Sequence, residues 1–123
     1  MAASSSSTRR PDQVGEVIRQ VVAESLIRDV RDPRIHPVTV TRVEVSPDLS
    51  HARVFVTVRG DEDQRASTLE GLARAAGFFR TQVAGVLATR ITPTLTFMAD
   101  LGAEHAARIE QILGALKRGE EAP

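Results

Sequence analysis

The spacing of apolar residues predicts a long amphipathic helix near the start of the chain. Apolar positions recur at helical intervals from about Asp12 to Val30, and polar residues occupy the other face. Pro11 suits the first turn of this helix. Asp32-Pro33 stops it, because the residue before a proline avoids helical dihedral angles. The apolar positions are Val14, Val17, Ile18, Val21, Val22, Leu26, Ile27 and Val30.

Two segments rich in β-branched residues follow and predict an antiparallel hairpin. Val38–Val45 and His51–Arg59 are separated by Ser46–Ser50, which has the residue types that turns require. In the first segment the alternation changes parity between Val40 and Val43. Either both faces of this strand are partly covered or a β-bulge intervenes. The expected core face of the second strand consists of Ala52, Val54, Val56 and Val58.

The second half of the chain predicts two helices, a strand and a last helix. Gly60-Asp61-Glu62-Asp63 ends the second strand and places acids at the positive end of the next helix. The predicted elements are a helix from about Glu62 to Ala75 that Gly77 breaks, a helix from Phe78 to about Arg90, a strand over Thr94–Ala99 and a helix from about Ala103 to Lys117. The residues expected to face inward are Leu69, Leu72, Ala73, Ala76, Phe79, Val83, Val86, Leu87, Leu95, Phe97, Ala99, Ala106, Ile109, Ile112, Leu113 and Leu116.

The element order αββααβα indicates an α+β fold. A hairpin and a right-handed helical crossover that returns to the same sheet make a three-stranded sheet with helices on one face. The 123 residues, 41% of them apolar, suit a single core. We expect one domain over residues 10–117, with disordered tails over residues 1–9 and 118–123.

Composition excludes several classes of function. The chain has no cysteine, so disulfides, thiolate metal sites and thiol nucleophiles are absent, which is compatible with a reducing cytoplasm. No apolar run approaches the roughly 20 residues that span a bilayer, and residues 1–8 lack the apolar region of a secretory signal. We therefore expect a cytoplasmic protein that does not use a membrane.

Residues that could carry catalysis are scattered. His36, His51 and His105 lie far apart, without metal-ligand spacing. Ser4–Ser7 lack a nucleophile motif, and the acids Asp61–Asp63 lack the spacing of a calcium loop. No glycine-rich phosphate-binding motif is present. We expect no enzyme activity, no metal, no cofactor and no small-molecule substrate. A hydrolase that acts on RNA is a third and weaker hypothesis.

Charge is neutral in sum but uneven along the chain. Sixteen basic residues, fifteen of them arginine, balance sixteen acidic ones. Arginine suits phosphate and guanine, although the codon composition of a GC-rich genome would also explain its excess over lysine. No acid lies between Glu70 and Asp100 or between Asp48 and Asp61. A neutral chain can therefore carry a positive face. The arginines within these two segments are Arg53, Arg59, Arg74, Arg80 and Arg90.

The predicted helix junction Arg74-Ala75-Ala76-Gly77-Phe78-Phe79-Arg80 is the first candidate for a binding surface. Small residues let two helices meet sharply and let another backbone approach closely. The second helix would then present unpaired N–H groups to an anion. The alternative is that these small residues pack helix on helix. A second candidate is the outer face of the second strand, where Phe55 either stacks a base or packs beneath the last helix.

Several segments occur in a recognisable order along the chain. They are Asp32–Ile35 before Val38–Thr41, then Val43–Leu49, Ala52–Val56, Ala75–Arg80 and Arg90–Phe97. Together they resemble the ribosome-binding factor A family over roughly residues 10–113. The resemblance implies a type II KH-like fold in which an Ala-x-Gly kink, matched by Ala75 and Gly77, replaces the usual GxxG loop. It also implies binding to immature small ribosomal subunits through 16S rRNA, late maturation and end processing of that rRNA, and a link to cold adaptation.

We therefore expect a monomeric, non-enzymatic RNA-binding domain whose partner is the small ribosomal subunit and its rRNA. The neutral net charge implies that surface shape and a local patch matter more than total charge. The alternative is a protein–protein adaptor that uses the sheet face or the last helix. The candidate RNA-binding residues are Arg74, Ala75, Ala76, Gly77, Arg80 and Arg90, with Arg9, Arg10 and Arg19 as a second contact.

Overall fold

The computed structural model describes residues 11–28, 37–87 and 90–119. The predicted order αββααβα is confirmed, and β1 and β3 have the predicted bounds. Both expected tails, apart from Arg118 and Gly119, and with them Arg9 and Arg10, lie outside the described residues. The elements are α1 (Pro11–Arg28), β1 (Val38–Val45), β2 (His51–Val58), α2 (Glu62–Arg74), α3 (Ala76–Ala84), β3 (Thr94–Ala99) and α4 (Leu101–Lys117).

The three strands form one mixed sheet in the order β1-β2-β3. β1 pairs antiparallel with β2, and β2 pairs parallel with β3. The register of the hairpin shifts between Val40, which pairs with Val56, and Arg42, which pairs with Phe55. A β-bulge, and not partial covering of both faces, therefore explains the change in the apolar alternation of β1. It turns all four valines of β1 that lie on either side of Thr41 towards the core.

The core lies between one face of this sheet and helices α1, α2 and α3. Ile18 of α1, Leu72 of α2 and Phe79 of α3 have no exposed surface, and they join Val54 and Val56 of the central strand in one apolar cluster. The expected core face of β2 is thus confirmed. The close approach of α1 to β1 occurs at a glycine, since a Cβ on Gly15 would lie 3.1 Å from the carbonyl oxygen of Val43.

Local hydrogen bonds explain where α2 begins. Asp61 is its N-cap, and its side chain accepts a hydrogen bond from the backbone N–H of Gln64 at 2.8 Å. The Gln64 side chain in turn accepts one from the Asp61 backbone N–H at 2.7 Å. This capping box satisfies two N–H groups that the first turn would otherwise leave unpaired.

Two predictions about the helix pair are wrong. The break between α2 and α3 falls at Ala75, and Gly77 is the second residue of α3. α3 ends at Ala84 with Gly85 as its C-cap, well before Arg90. Beyond it, Val86 is 58% exposed although the pattern placed it inward, while Leu87 is buried. The Val86 N–H donates a hydrogen bond at 3.0 Å to the Val83 carbonyl, three residues earlier, as in a 3₁₀ turn. This narrower turn follows the end of the helix and places Leu87 in the core instead of Val86.

Asp100 joins the last helix to the bulge in β1. Its carboxylate caps α4 by accepting a hydrogen bond from the Ala103 N–H at 3.1 Å, and it accepts another from the Thr41 hydroxyl at 2.5 Å. These hydrogen bonds, with that of Thr41 the strongest influence, hold the pKa of Asp100 below its ordinary value. The end of β3 is thereby tied across β2 to β1.

The apolar face of α4 is largely uncovered, so its expected inward placement is wrong for several residues. Ile109, Leu113 and Leu116 are each more than two-fifths exposed, and Ala106 is exposed as well. Ala73 of α2, which was also expected inward, is exposed. A helical repeat of apolar residues shows that a helix has such a face, but not whether another element covers it. Within the described ranges, no helix is long and apolar enough to cross a membrane.

Candidate functional site

A single residue makes the turn between α2 and α3. Ala75 serves both as the C-cap of α2 and as the N-cap of α3, with φ −87° and ψ 1°. Its N–H donates to the Gly71 carbonyl and its own carbonyl accepts from the Phe79 N–H, each at 3.1 Å. These dihedral angles fall in the sparsely occupied bridge region. Ala75 thus forms the turn between the two helices, where the family resemblance implied an Ala-x-Gly kink.

Gly77 stands open to solvent on the first turn of α3. A Cβ built at this position would meet no atom within 4 Å. The absence of a side chain is therefore not required by helix packing, which was the alternative explanation for this glycine. Glycine costs about 0.5–1 kcal/mol relative to alanine inside a helix. α3 is therefore slightly less stable than it would be with alanine, and its backbone at Gly77 is not covered by a side chain.

The two phenylalanines after Gly77 point in different directions. Phe79 is fully buried, and its ring centroid lies 5.3 Å from that of Phe97. Phe78 is 40% exposed and makes an edge-to-face contact with Phe79 at 5.6 Å. Phe78 was not among the predicted site residues. The signal for it was available, since consecutive helix positions differ by about 100° and only one of two adjacent rings can face the core.

The three arginines around the junction differ in their surroundings. Arg74, in the last turn of α2, and Arg90 are exposed, and neither guanidinium forms an ion pair or hydrogen bond with another described residue. The Arg80 guanidinium instead donates to the Thr92 carbonyl at 2.8 Å and the Pro93 carbonyl at 3.3 Å. Arg80 thereby holds the segment before β3 against α3 while its head group stays at the surface. This brings the segment that carries Arg90 next to α3.

The predicted second contact is only partly described. Arg19 lies on α1, where its guanidinium forms an exposed ion pair with Glu16 at 2.5 Å. That pairing raises the pKa of Arg19 and lowers the pKa of Glu16. Arg19 belongs to a different surface from the junction, one that it shares with Arg59, Arg65 and Arg108. Arg9 and Arg10 lie outside the described residues.

The outer face of the sheet does not offer an aromatic stacking surface. Phe55 is only 9% exposed, because the Arg42 guanidinium lies over its ring at 3.8 Å from the centroid. Glu44 forms ion pairs with both Arg42 and Arg53, the latter at 3.0 Å. The hypothesis that Phe55 stacks a base is therefore wrong in this structure, since cation–π contact and burial occupy the ring.

Neighbouring side chains at the hairpin turn form a compact hydrogen-bond network. Asp48 accepts hydrogen bonds from the Ser50 and Ser46 hydroxyls, each at 2.7 Å, and from the Ser50 N–H. These bonds lower the pKa of Asp48 to about 2. The Ser50 hydroxyl also lies 2.8 Å from His51 Nδ1. The network stabilises the turn, and in the described part of the chain no cluster of acids and histidines could hold a metal ion.

The architecture is that of a KH-like α+β domain, in which a mixed three-stranded sheet carries an interrupted helix pair. The family model for ribosome-binding factor A matches residues 10–113. This chain belongs to the ribosome-binding factor A family.

Relatives and solved structures agree with that assignment. Ribosome-binding factor A of Rhodopirellula baltica is 44% identical over 94% of this chain and 84% of its own length, and that of Halothermothrix orenii is 42% identical over 92% and 93%. The crystal structure of the Thermus thermophilus protein is similar at a TM-score of 0.62, with 27% identity over 72% of this chain and 94% of that one. A homology model of the Thermus protein, fitted into a cryo-EM map of a 30S–RbfA complex, is similar at a TM-score of 0.58, with 27% identity over 72% and 92%.

Proposed function

We propose that this chain is a ribosome assembly factor that binds immature small (30S) ribosomal subunits through 16S rRNA. It assists late maturation of the subunit and processing of the rRNA ends, and it has no catalytic step. It acts as a monomer in the cytoplasm and needs no cofactor. The observation that carries the proposal is the bare backbone at Gly77, which arginines flank on an acid-free segment of a chain that belongs to this family.

The contact at the junction combines shape with local charge. Without a Cβ at Gly77, the RNA backbone can approach the first turn of α3, where N–H groups and the helix dipole favour a phosphate. Within the described ranges no partner occupies the guanidinium donors of Arg74 and Arg90, which can therefore bind phosphate oxygens, and Arg80 keeps the donors that the loop carbonyls do not use. The exposed ring of Phe78 offers a stacking surface for one unpaired base.

The neutral net charge favours selective binding over non-specific binding to RNA. A protein that carried a large positive charge would bind any RNA through counterion release. This chain has a formal charge of zero, so its non-specific affinity for RNA is low. Binding then requires an RNA surface that fits the junction. A factor of this kind assists maturation if it binds the immature conformation more tightly than the mature one, because only differential affinity shifts an equilibrium.

Co-sedimentation with purified precursor and mature small subunits tests the proposal. We expect association that is tighter for precursor subunits and falls with rising salt. The double variant Arg74→Ala/Arg90→Ala should weaken binding and reduce the slope of log affinity against log salt by about 0.7–0.9 per lost phosphate contact. Arg53→Ala is the matched control, because that arginine is ion-paired with Glu44 on the outer sheet face. The absence of association at low and moderate salt would contradict the proposal.

An adaptor function is the second candidate, and the exposed apolar side chains of α4 favour it. Ile109, Leu113 and Leu116 recur at helical spacing on a surface that the described residues leave open. Association that survives high salt and ribonuclease treatment would favour this alternative, since apolar contacts do not depend on counterions. Incubation of the purified protein with precursor rRNA tests the absence of catalysis, and cleavage products would contradict it.

A further inference from the structure

A wide cleft lies at the edge of the sheet where β1 begins and β2 ends, between α1, α2 and α4. Its volume of about 1620 Å³ exceeds the roughly 300–1,000 Å³ of small-molecule sites, so its size suits a segment of an extended polymer. Five elements, α1, β1, β2, α2 and α4, contribute to its walls. Among the lining residues are Arg19, Thr57, Arg59, Arg65, Arg108 and Gln111.

Positive charge predominates among the residues that line the cleft. Among the described residues that line the cleft, four are arginines and two, Glu104 and Glu110, are acids. Glu104 is engaged with Arg65, with 3.1 Å between its Oε1 and the Arg65 Nη2. The nearby acidic residue Asp61 caps α2 and does not line the cleft.

Two of the four arginines are available for a ligand. Arg19 is held by Glu16 outside the cleft, and Arg65 is held by Glu104 within it. The side chains of Arg59 and Arg108 are exposed, and neither guanidinium forms a hydrogen bond or ion pair with any described residue. Ion pairs therefore hold two of the arginines that line the cleft, and the described residues leave the other two guanidiniums open to a ligand. Guanidinium forks with hydroxyl and amide groups beside them are suited to phosphates and ribose hydroxyls.

We infer that this cleft is a second RNA-binding site, in which Arg59 and Arg108 hold the phosphates of an RNA segment other than the one at the α2–α3 junction. This inference rests on the proposed RNA-binding function. Arg65 lies near the start of α2 and Arg74 at its end, so about 14 Å of helix axis separates the two sites. Simultaneous contact at both sites raises affinity without a large net charge, because the second contact forms at high effective concentration. It also orients two RNA segments relative to each other.

Binding to protein-free precursor 16S rRNA and to precursor subunits, each over a range of salt, tests the inference. Arg59→Ala/Arg108→Ala should reduce the slope of log affinity against log salt by about 1.4–1.8 and weaken binding roughly tenfold at fixed salt. Glu110→Gln should strengthen binding about twofold, because it removes a like charge to the phosphates from the lining. A folding defect cannot produce that gain. Arg53→Ala, outside the cleft, should bind as the unmodified protein does.

The outcomes separate this inference from the proposed function. If the unmodified protein binds neither RNA nor subunits, the proposed function itself fails. If it binds both, and the double arginine variant matches it in affinity and salt slope, the cleft is not a binding site. A loss of affinity for subunits alone, with unchanged binding to protein-free RNA, would assign the cleft to a protein partner and overturn the inference. Melting temperatures should change little, because both arginine side chains are exposed and no residue in the described part of the chain pairs with them.

Discussion

Replacing Gly77 with alanine separates the role of this residue in folding from its role in binding. The added Cβ has no atom within 4 Å, so it introduces no steric cost. Within a helix, alanine is more favourable than glycine by about 0.5–1 kcal/mol, and the second position of α3 should give the lower end of that range. For a domain of this size, this gain raises Tm by about 2–4 °C. The same methyl group stands where RNA would approach the backbone.

Thermal unfolding and subunit binding should therefore move in opposite directions for Gly77→Ala. We expect a higher Tm together with affinity for precursor subunits about tenfold weaker, which is the order of effect of losing one close backbone contact. Gly85→Ala is the matched control at the other end of α3. Its Cβ would lie 3.5 Å from the Gln82 carbonyl oxygen, an ordinary contact, so it should not affect binding.

Two outcomes for Gly77→Ala would contradict a role of the bare backbone in RNA binding. A lower Tm would show that the glycine is needed for packing, contrary to the open space around it. A higher or equal Tm with unchanged affinity would show that the backbone at Gly77 does not contact RNA. After the second result, the double variant Arg74→Ala/Arg90→Ala would be the remaining test of whether the junction binds RNA.

Phe78, Asp100 and Asp48 each make contacts whose loss should have a measurable effect. Phe78→Ala should weaken RNA binding by about 1–3 kcal/mol through the loss of base stacking, as titration with precursor rRNA would show, and should lower Tm by a few degrees because the edge-to-face contact with Phe79 is also lost. Phe78→Leu, which keeps an apolar side chain but no ring, should lose the same binding energy, and unchanged RNA affinity in both variants would contradict stacking. Asp100→Ala removes the cap of α4 and the bond to Thr41, so Tm should fall by several degrees; an unchanged melt would contradict this. Because the pKa of Asp48 is lowered from 3.8 to about 2, its contribution to stability is present above pH 4 and lost as the pH falls to 2. Asp48→Asn should flatten the dependence of Tm on pH in that range, and an unaltered slope would contradict the network's role.

Much of the secondary structure follows from local sequence. The bounds of β1 and β3 agree with prediction because β-branched residues and an alternation of period two mark strands in the local sequence. α2 begins where its capping residues Asp61 and Gln64 stand, which is also a local interaction. The arginines at the junction could be predicted as candidate binding residues from the sequence, because acids are absent from the segment around them.

Other features were decided only by tertiary contacts. The parity change in β1 allowed two explanations, and pairing with β2 selected the bulge at Thr41. The helical pattern after Gly77 continued past Gly85, yet α3 stops at Ala84, and Leu87 instead of Val86 lies in the core. The sequence allowed Phe55 to be a stacking residue, but in the fold the Arg42 guanidinium covers its ring.

Patterns along the chain were enough to predict the class of fold, the order of its elements, the family and the segment that forms the junction. Each of these depends on residues that are close together in the chain or on their order along it. The open surroundings of Gly77 and the exposed apolar face of α4 could be found only in the folded protein. The same is true of the cleft that Arg59 and Arg108 share. These features depend on which atoms surround a residue in space, and periodicity along a chain carries no information about neighbours from distant elements.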